Sequence, residues 1–122
     1  MTYKSQFGKF GEDIACDFLL ENGYKIIERN FRRPWGELDI VAKAPDKTLT
    51  FVEVKTVRKF DGGLNPEDQL TQSKLQKLKR TAGLYAGHRT ELIDERKGWR
   101  IDLLALAVEN GNFSIKYYEN LN

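Results

Sequence analysis

The stretch FVEVKTV, residues 51–57, decides how the rest of this 122-residue chain is read. Its β-branched residues favour a strand, and side chains on a strand alternate between faces. Val52 and Val54 therefore share one face, and Glu53 and Lys55 share the other. Most strands of this pattern carry a Glu and a Lys on a wet face, paired across to a neighbour. A second reading opens if other ionisable side chains point to the same place.

Upstream, GELDIVAKA (36–44) reads as a strand joined to it by the tight turn PDK (45–47). YKIIERNF (24–31) reads as the strand before that, with RPWG as the turn between them. The three strands form an antiparallel meander. Before them, SQFGKFGEDIACDFLLENGYK places Ile14, Ala15, Phe18 and Leu19 at helical spacing, with Ser5 as N-cap candidate and Asn22-Gly23 as the stop. Downstream, RKFDGGLN (58–65) reads as a glycine-bearing loop. A second helix follows, capped at Asn65 or Thr71, with Leu70, Leu75, Leu78, Ala82 and Tyr85 on one side. WRIDLLALAV (99–108) is a largely buried strand, and Asn110-Gly111 suits a type I′ hairpin turn into FSIKYYEN. The step from third to fourth strand through a helix calls for a parallel crossover. The expected fold is α/β: a restriction-endonuclease-like αβββαββ core with a mixed central sheet flanked by helices, in one domain spanning residues 1–122.

Composition narrows the chemistry. The 40% hydrophobic and 31% charged content suits a globular chain, and no apolar run approaches a membrane span. The N-terminus lacks the apolar centre of a secretory signal, so a cytoplasmic location is expected. One cysteine, Cys16, excludes an intrachain disulfide and a Cys-cluster zinc site, and one histidine, His88, argues against a histidine-rich metal centre. No G-x-S-x-G turn accompanies that histidine. Net charge is only +2, but from Leu70 to Thr90 there are five cations (Lys74, Lys77, Lys79, Arg80, Arg89) and no acid. Arg29, Arg32 and Arg33 lie among Phe31 and Trp35. Such clusters suit a phosphate backbone with nearby bases; each alone also reads as a solvated face or loop.

Glu37 and Asp39 share a face of the second strand, with Leu38 and Ile40 opposite. Hairpin pairing can bring that acidic face beside Glu53. Glu12 borders the inward stripe of the first helix. If that helix packs across the face holding Asp39 and Glu53, three carboxylates and one ammonium meet in a partly dry cleft. Such a gathering costs several kcal/mol uncompensated, and a divalent cation removes the penalty. Mg²⁺ or Mn²⁺ fits, since Mg²⁺ takes oxygen ligands and is held by one or two carboxylates. Asp39, Glu53 and the backbone carbonyl of Val54 form the expected ligand set. Lys55 beside them could orient or deprotonate a water, or offset charge on a phosphate. The chemistry favoured is metal-assisted phosphodiester hydrolysis.

These residues carry a resemblance. A helix Glu, a second-strand Asp and a third-strand Glu-x-Lys resemble the core of the PD-(D/E)xK nuclease superfamily, which includes Holliday-junction resolvases. GKFGEDIACDFLLENGYKIIERNFRRPWGELDIVA, FVEVKTV, TQSKLQKLKRTAGLYA and WRIDLLALAV more closely resemble the YraN family of small bacterial proteins, over roughly Gln6 to Val108. The resemblance implies Asp39 and Glu53 as metal ligands, Lys55 as catalytic lysine, Glu12 as the first-helix acid and Lys74 as a phosphate contact. Lys77, Arg80, Arg32 and Arg33 complete the expected nucleic-acid-binding set. Leu38 stands where the superfamily's name has proline, and the literal Pro45-Asp46 falls at a hairpin tip, so Asp39 is chosen. Asp102, in WRID, matches a fourth-strand acid without an assigned role; pairing with Arg100 is its structural alternative. The expected activity is metal-dependent cleavage of DNA, branched or single-stranded, and analogy with resolvases implies a homodimer. The alternatives are a nucleic-acid-binding module that no longer cuts, or a protein-interaction subunit.

Overall fold

FVEVKTV lies within β3 (Leu49–Arg58), the middle strand of a five-stranded sheet in the computed structural model, which describes residues 6–58 and 70–122. The sheet runs β1 (Lys25–Arg33), β2 (Gly36–Lys43), β3, β4 (Trp99–Glu109), β5 (Asn112–Tyr118), so sequence order and spatial order coincide. β1, β2 and β3 are antiparallel, β4 lies parallel to β3 from Leu49↔Trp99 to Arg58↔Val108, and β5 closes as an antiparallel hairpin. With α1 (Gln6–Glu21) before the meander and α2 (Gln72–His88) before β4, the order is the expected αβββαββ. Among the described residues, a short 3-10 turn at Thr90–Leu92 is the one element not anticipated.

Local signals explain the ends. α1 stops at Gly23 (φ 84°), where the Tyr24 amide bonds the Leu19 carbonyl and the Gly23 amide bonds that of Leu20. That is the double closure a left-handed residue permits. α2 begins at Thr71, whose hydroxyl accepts the Lys74 amide. The Asn65 cap, the Ser5 cap and the loop at 59–65 lie outside the described residues. Asn110 and Gly111 have φ of 49° and 79°, as a type I′ turn demands.

Alternation divides β3 between two cores. Val52 joins Ile40, Leu104 and Leu106 under Ala15 and Leu19 of α1, while Phe51 joins Leu38 and Ile101 under Ala82 and Tyr85 of α2. Two glycines let the helices approach. A Cβ on Gly11 would stand 2.0 Å from the Thr56 hydroxyl, and one on Gly36 would stand 2.0 Å from that of Thr81. Among the described residues no helix is long and apolar enough to cross a membrane.

An expectation about β2 fails. Leu38 and Ile40 do not share a face: Leu38 packs in the α2 core and Ile40 in the α1 core. β1 breaks its alternation at the same rung, since Arg29 reaches Asp13 on α1 while Phe31 stacks against Tyr85 on α2. Between the pairs Arg29↔Ile40 and Phe31↔Leu38 stand Asn30 and Asp39. Asn30 is left-handed, φ 55°, a conformation asparagine tolerates better than most residues. That dihedral breaks the alternation of β1 between Arg29 and Phe31, at the rung where β2 breaks its own alternation at Asp39.

Candidate active site

The β2–β3 ladder runs from Lys43↔Leu49 to Ile40↔Val52 and ends there. Where the next ladder bond would fall, the Asp39 side chain intervenes: the Val54 amide donates to Oδ2 at 2.9 Å. The carboxylate thus sits between the two strands, near the sheet plane, beside the Val54 backbone. Asp39 and Glu53 also line one cavity of about 10 Å³ against Leu78 of α2, room for about one water. Both acids are half-buried, as is Lys55, two residues beyond Glu53 on the same strand face. These side chains and the Val54 main chain are the expected residues that the fold brings together.

Glu12 is placed differently. α1 covers the face of β3 that carries Val52, Val54 and Thr56, opposite the face of Glu53. The expected packing of α1 across Glu53 is therefore corrected, because the close approach of Gly11 to Thr56 seats the helix on the other side. Glu12 is only 2% exposed, and its Oε1 has no hydrogen-bond partner among the described residues. Nor do the described residues contain a group of three or more Asp, Glu, His or Cys side chains arranged to hold an ion. The donor set on hand is Asp39, Glu53 and the Val54 carbonyl. That fits Mg²⁺ or Mn²⁺, because Mg²⁺ is ordinarily held by one or two carboxylates and completes its shell with water and phosphate oxygen.

Pro45-Asp46 lies at the hairpin tip, at the other end of β2 and β3 from Asp39 and Glu53. Asp46 Oδ1 accepts the Thr48 amide at 3.0 Å, and hydrogen bonds from Thr48 hold its carboxyl below the usual range. It is a turn residue.

The basic residues separate into two kinds. Lys74, Lys77 and Arg80 are exposed on α2, away from the buried Ala82, Tyr85 and Ala86. The arginines of β1 do not form one patch. Arg29 pairs with Asp13 at 2.7 Å, and Arg32 stands opposite Glu37 in the ladder. Arg33 folds over the Phe31 ring at 4.3 Å and donates to the Arg32 carbonyl.

Asp102 takes its structural alternative. Fully buried, it accepts from Arg100 Nε at 3.1 and 3.2 Å, from the Tyr117 hydroxyl at 2.5 Å and from the Asn120 amide at 2.9 Å. Arg100 also donates to the Tyr24 hydroxyl at 3.0 Å. Burial, then the bond to Asp102, pushes the Tyr117 hydroxyl far above its ordinary pKa. Sequence reading missed Tyr24 and Tyr117 as members of this network; the only signal was polar atoms on otherwise apolar strands. It also missed the pair formed by Tyr85 and Glu28, whose hydrogen bond spans 2.8 Å.

A model of uncharacterised protein family UPF0102 matches residues 11–106, which include Glu12, Asp39, Glu53, Lys55 and Asp102. A UPF0102 protein of Campylobacter concisus (strain 13826) is 38% identical over 109 residues, covering 89% of this chain and 88% of the relative. One from Caldicellulosiruptor bescii is 37% identical over 107 residues, covering 88% and 87%. One from Pelobacter propionicus is 42% identical over 115 residues, covering 93% and 79%.

Proposed function

The chain belongs to uncharacterised protein family UPF0102, the YraN family, and from that premise and the opened β2–β3 ladder we propose a metal-dependent endonuclease that hydrolyses DNA phosphodiester bonds, on branched or single-stranded DNA. The observation that carries the reading is the Asp39 carboxylate set on the Val54 amide in the same cavity wall as Glu53. A carboxylate placed where a backbone bond should be does little for a sheet that could simply have continued its ladder. It does fix an acid beside a second acid and a main-chain oxygen.

In this reading Asp39, Glu53 and the Val54 carbonyl hold Mg²⁺ or Mn²⁺, which when bound supplies charge stabilisation at the phosphate and a more acidic water. The Val54 amide orients Asp39 through one oxygen. Lys55 directs its ammonium to the face of Glu53, where it orients the attacking water or offsets charge on the phosphate. Glu12 lies outside the proposed ligand set and supports the site from the α1 side. Lys74, Lys77 and Arg80 meet the DNA backbone from α2, where positive charge on an exposed helix face attracts phosphate without reading sequence. Arg32 and Arg33 belong at the edge of that contact. A homodimer would present two such sites to a symmetric junction.

The test is a panel of duplex, single-stranded and four-way-junction DNA incubated with Mn²⁺, wild type beside Asp39→Ala. Cleavage that needs the metal and vanishes in the variant is the expected result; no cleavage of any substrate sinks the proposal. The exposed cations Lys74, Lys77 and Arg80 on α2 favour, as second reading, a module that binds DNA without cutting. It would shift DNA equally with and without metal.

A further inference from the structure

On the α2 face, a cavity of about 410 Å³ opens between β1 and the end of α2, walled by Phe31, Trp35 and Tyr85 with Arg33, Arg89 and Glu28. The volume is in the range of small-molecule sites. Its rings are already braced against one another: Phe31 meets Tyr85 edge-on at 5.0 Å and Trp35 at 5.9 Å. Trp35 is nonetheless 40% exposed, so part of the indole remains open to a ligand. Arg33 lies along the Phe31 ring at the rim. Arg89 is engaged by Glu91 at 2.7 Å and serves as wall. At the floor the Tyr85 hydroxyl donates to Glu28 Oε1; a carboxylate has lone pairs beyond that bond for further N–H donors.

We infer that this cavity holds one unpaired nucleobase, stacked on Trp35, with Glu28 accepting an N–H from the base edge and Arg33 at the attached phosphate. An aromatic face is what every base can stack on. The single carboxylate at the floor turns a phosphate away from the depth of the pocket and toward the guanidinium at its rim. Position supports the assignment. Phe31 is paired with Leu38, the chain neighbour of Asp39, so one wall of the pocket belongs to the strand beside the proposed cleavage site, while Trp35 stands further along, in the turn between β1 and β2. The pocket would select strands with an unpaired base near the cut. The inference rests on the DNA-binding part of the reading above, not on cleavage.

The experiment measures, in EDTA, the affinity of the full chain for a short labelled single strand of mixed sequence and for the matching blunt duplex. Wild type is set beside Trp35→Ala and Trp35→Phe, with a thermal melt of each. Trp35→Ala should lose roughly 5- to 100-fold on the single strand and little on the duplex, while Trp35→Phe stays near wild type. Equal loss on both DNAs, or no loss on the single strand, overturns the pocket. So does a change of oligomeric state in Trp35→Ala by light scattering, which would make the pocket a protein contact. If Trp35→Ala does not fold, Trp35→Phe decides: binding must quench indole fluorescence in wild type and lose that quench in the variant, which keeps Trp99; an unchanged quench refutes the inference. Because EDTA stops cutting, absence of nuclease activity leaves this outcome intact. Conversely, a chain that cuts while treating paired and unpaired strands alike loses the pocket and keeps the nuclease.

Discussion

Asp39 and Val54 are joined side chain to backbone, carboxylate oxygen to amide at 2.9 Å, at the point where β2 and β3 stop pairing through their main chains. The bond separates folding from chemistry. Asp39→Asn retains a carbonyl oxygen able to accept the Val54 amide, so its unfolding midpoint should stay near wild type while metal-dependent cleavage disappears. Asp39→Ala should lose both, with a stability cost of about 1–2 kcal/mol for a charge-assisted bond to a half-buried group. Chemical denaturation and the cleavage assay, run on both variants, check this. An Asn variant that still cuts at the wild-type rate contradicts the proposed ligand role.

Glu12 is sorted from Glu53 by the same assay. Since α1 sits on the opposite face of β3, Glu12→Gln should reduce cleavage and leave it measurable, whereas Glu53→Gln should abolish it. Equal, complete loss in both would place Glu12 among the groups that touch the ion.

Neutralising Lys77 and Arg80 together with Lys74 should weaken duplex binding and flatten its salt dependence. Each phosphate contact removed lowers the slope of log affinity against log salt by about 0.9. All three side chains lie on the exposed part of α2, so the melting temperature should barely move. An unchanged salt slope would remove α2 from the DNA interface.

The Asp102 network should answer to stability alone. Asp102→Ala strands a largely buried Arg100, with Asp46 at 3.9 Å and Glu119 at 4.0 Å as remaining acids, and should cost about 3–5 kcal/mol in urea unfolding. Tyr117→Phe removes one hydrogen bond to a charged group, about 1.5–3 kcal/mol. Asp102 pairs with Val52, one residue from Glu53, but lies with Val52 and Leu104 on the α1 face of the sheet, opposite Glu53, so cleavage by the folded fraction should persist.

Alkaline pH should weaken the fold through Tyr85. Burial first, then its bond to Glu28, raises the hydroxyl from 10.0 to about 12. The folded state therefore holds this proton more tightly than the unfolded chain. The associated stability is fully present below pH 10.0 and is lost as pH rises through about 12. Tyr85→Phe should lessen the loss of stability across that window, as followed by denaturation at stepped pH; an undiminished slope would assign it to Tyr117, whose hydroxyl is raised in the same sense.

Much of this architecture was legible in residue order. The period-two strands, Asn22-Gly23, Thr71 and Asn110-Gly111 mark element limits through short-range sterics and hydrogen bonds, which depend on a few neighbouring residues. The same local logic separated Asp39 from the turn acid Asp46. Less was legible where contacts cross elements. A strand's alternation says that Glu53 and Lys55 face together, but not which helix covers them, and Gly11 against Thr56 put α1 on the other side. Nor does alternation announce its own failure: at the rung of the left-handed Asn30 and Asp39 both strands break phase, and Phe31 and Leu38 enter the α2 core. The ring of Trp35 and the carboxylate of Glu28 become one pocket only when β1 and α2 pack. Short-range rules name the elements, and the packing of distant surfaces places the acids, because which faces meet depends on close contacts between residues far apart in the chain.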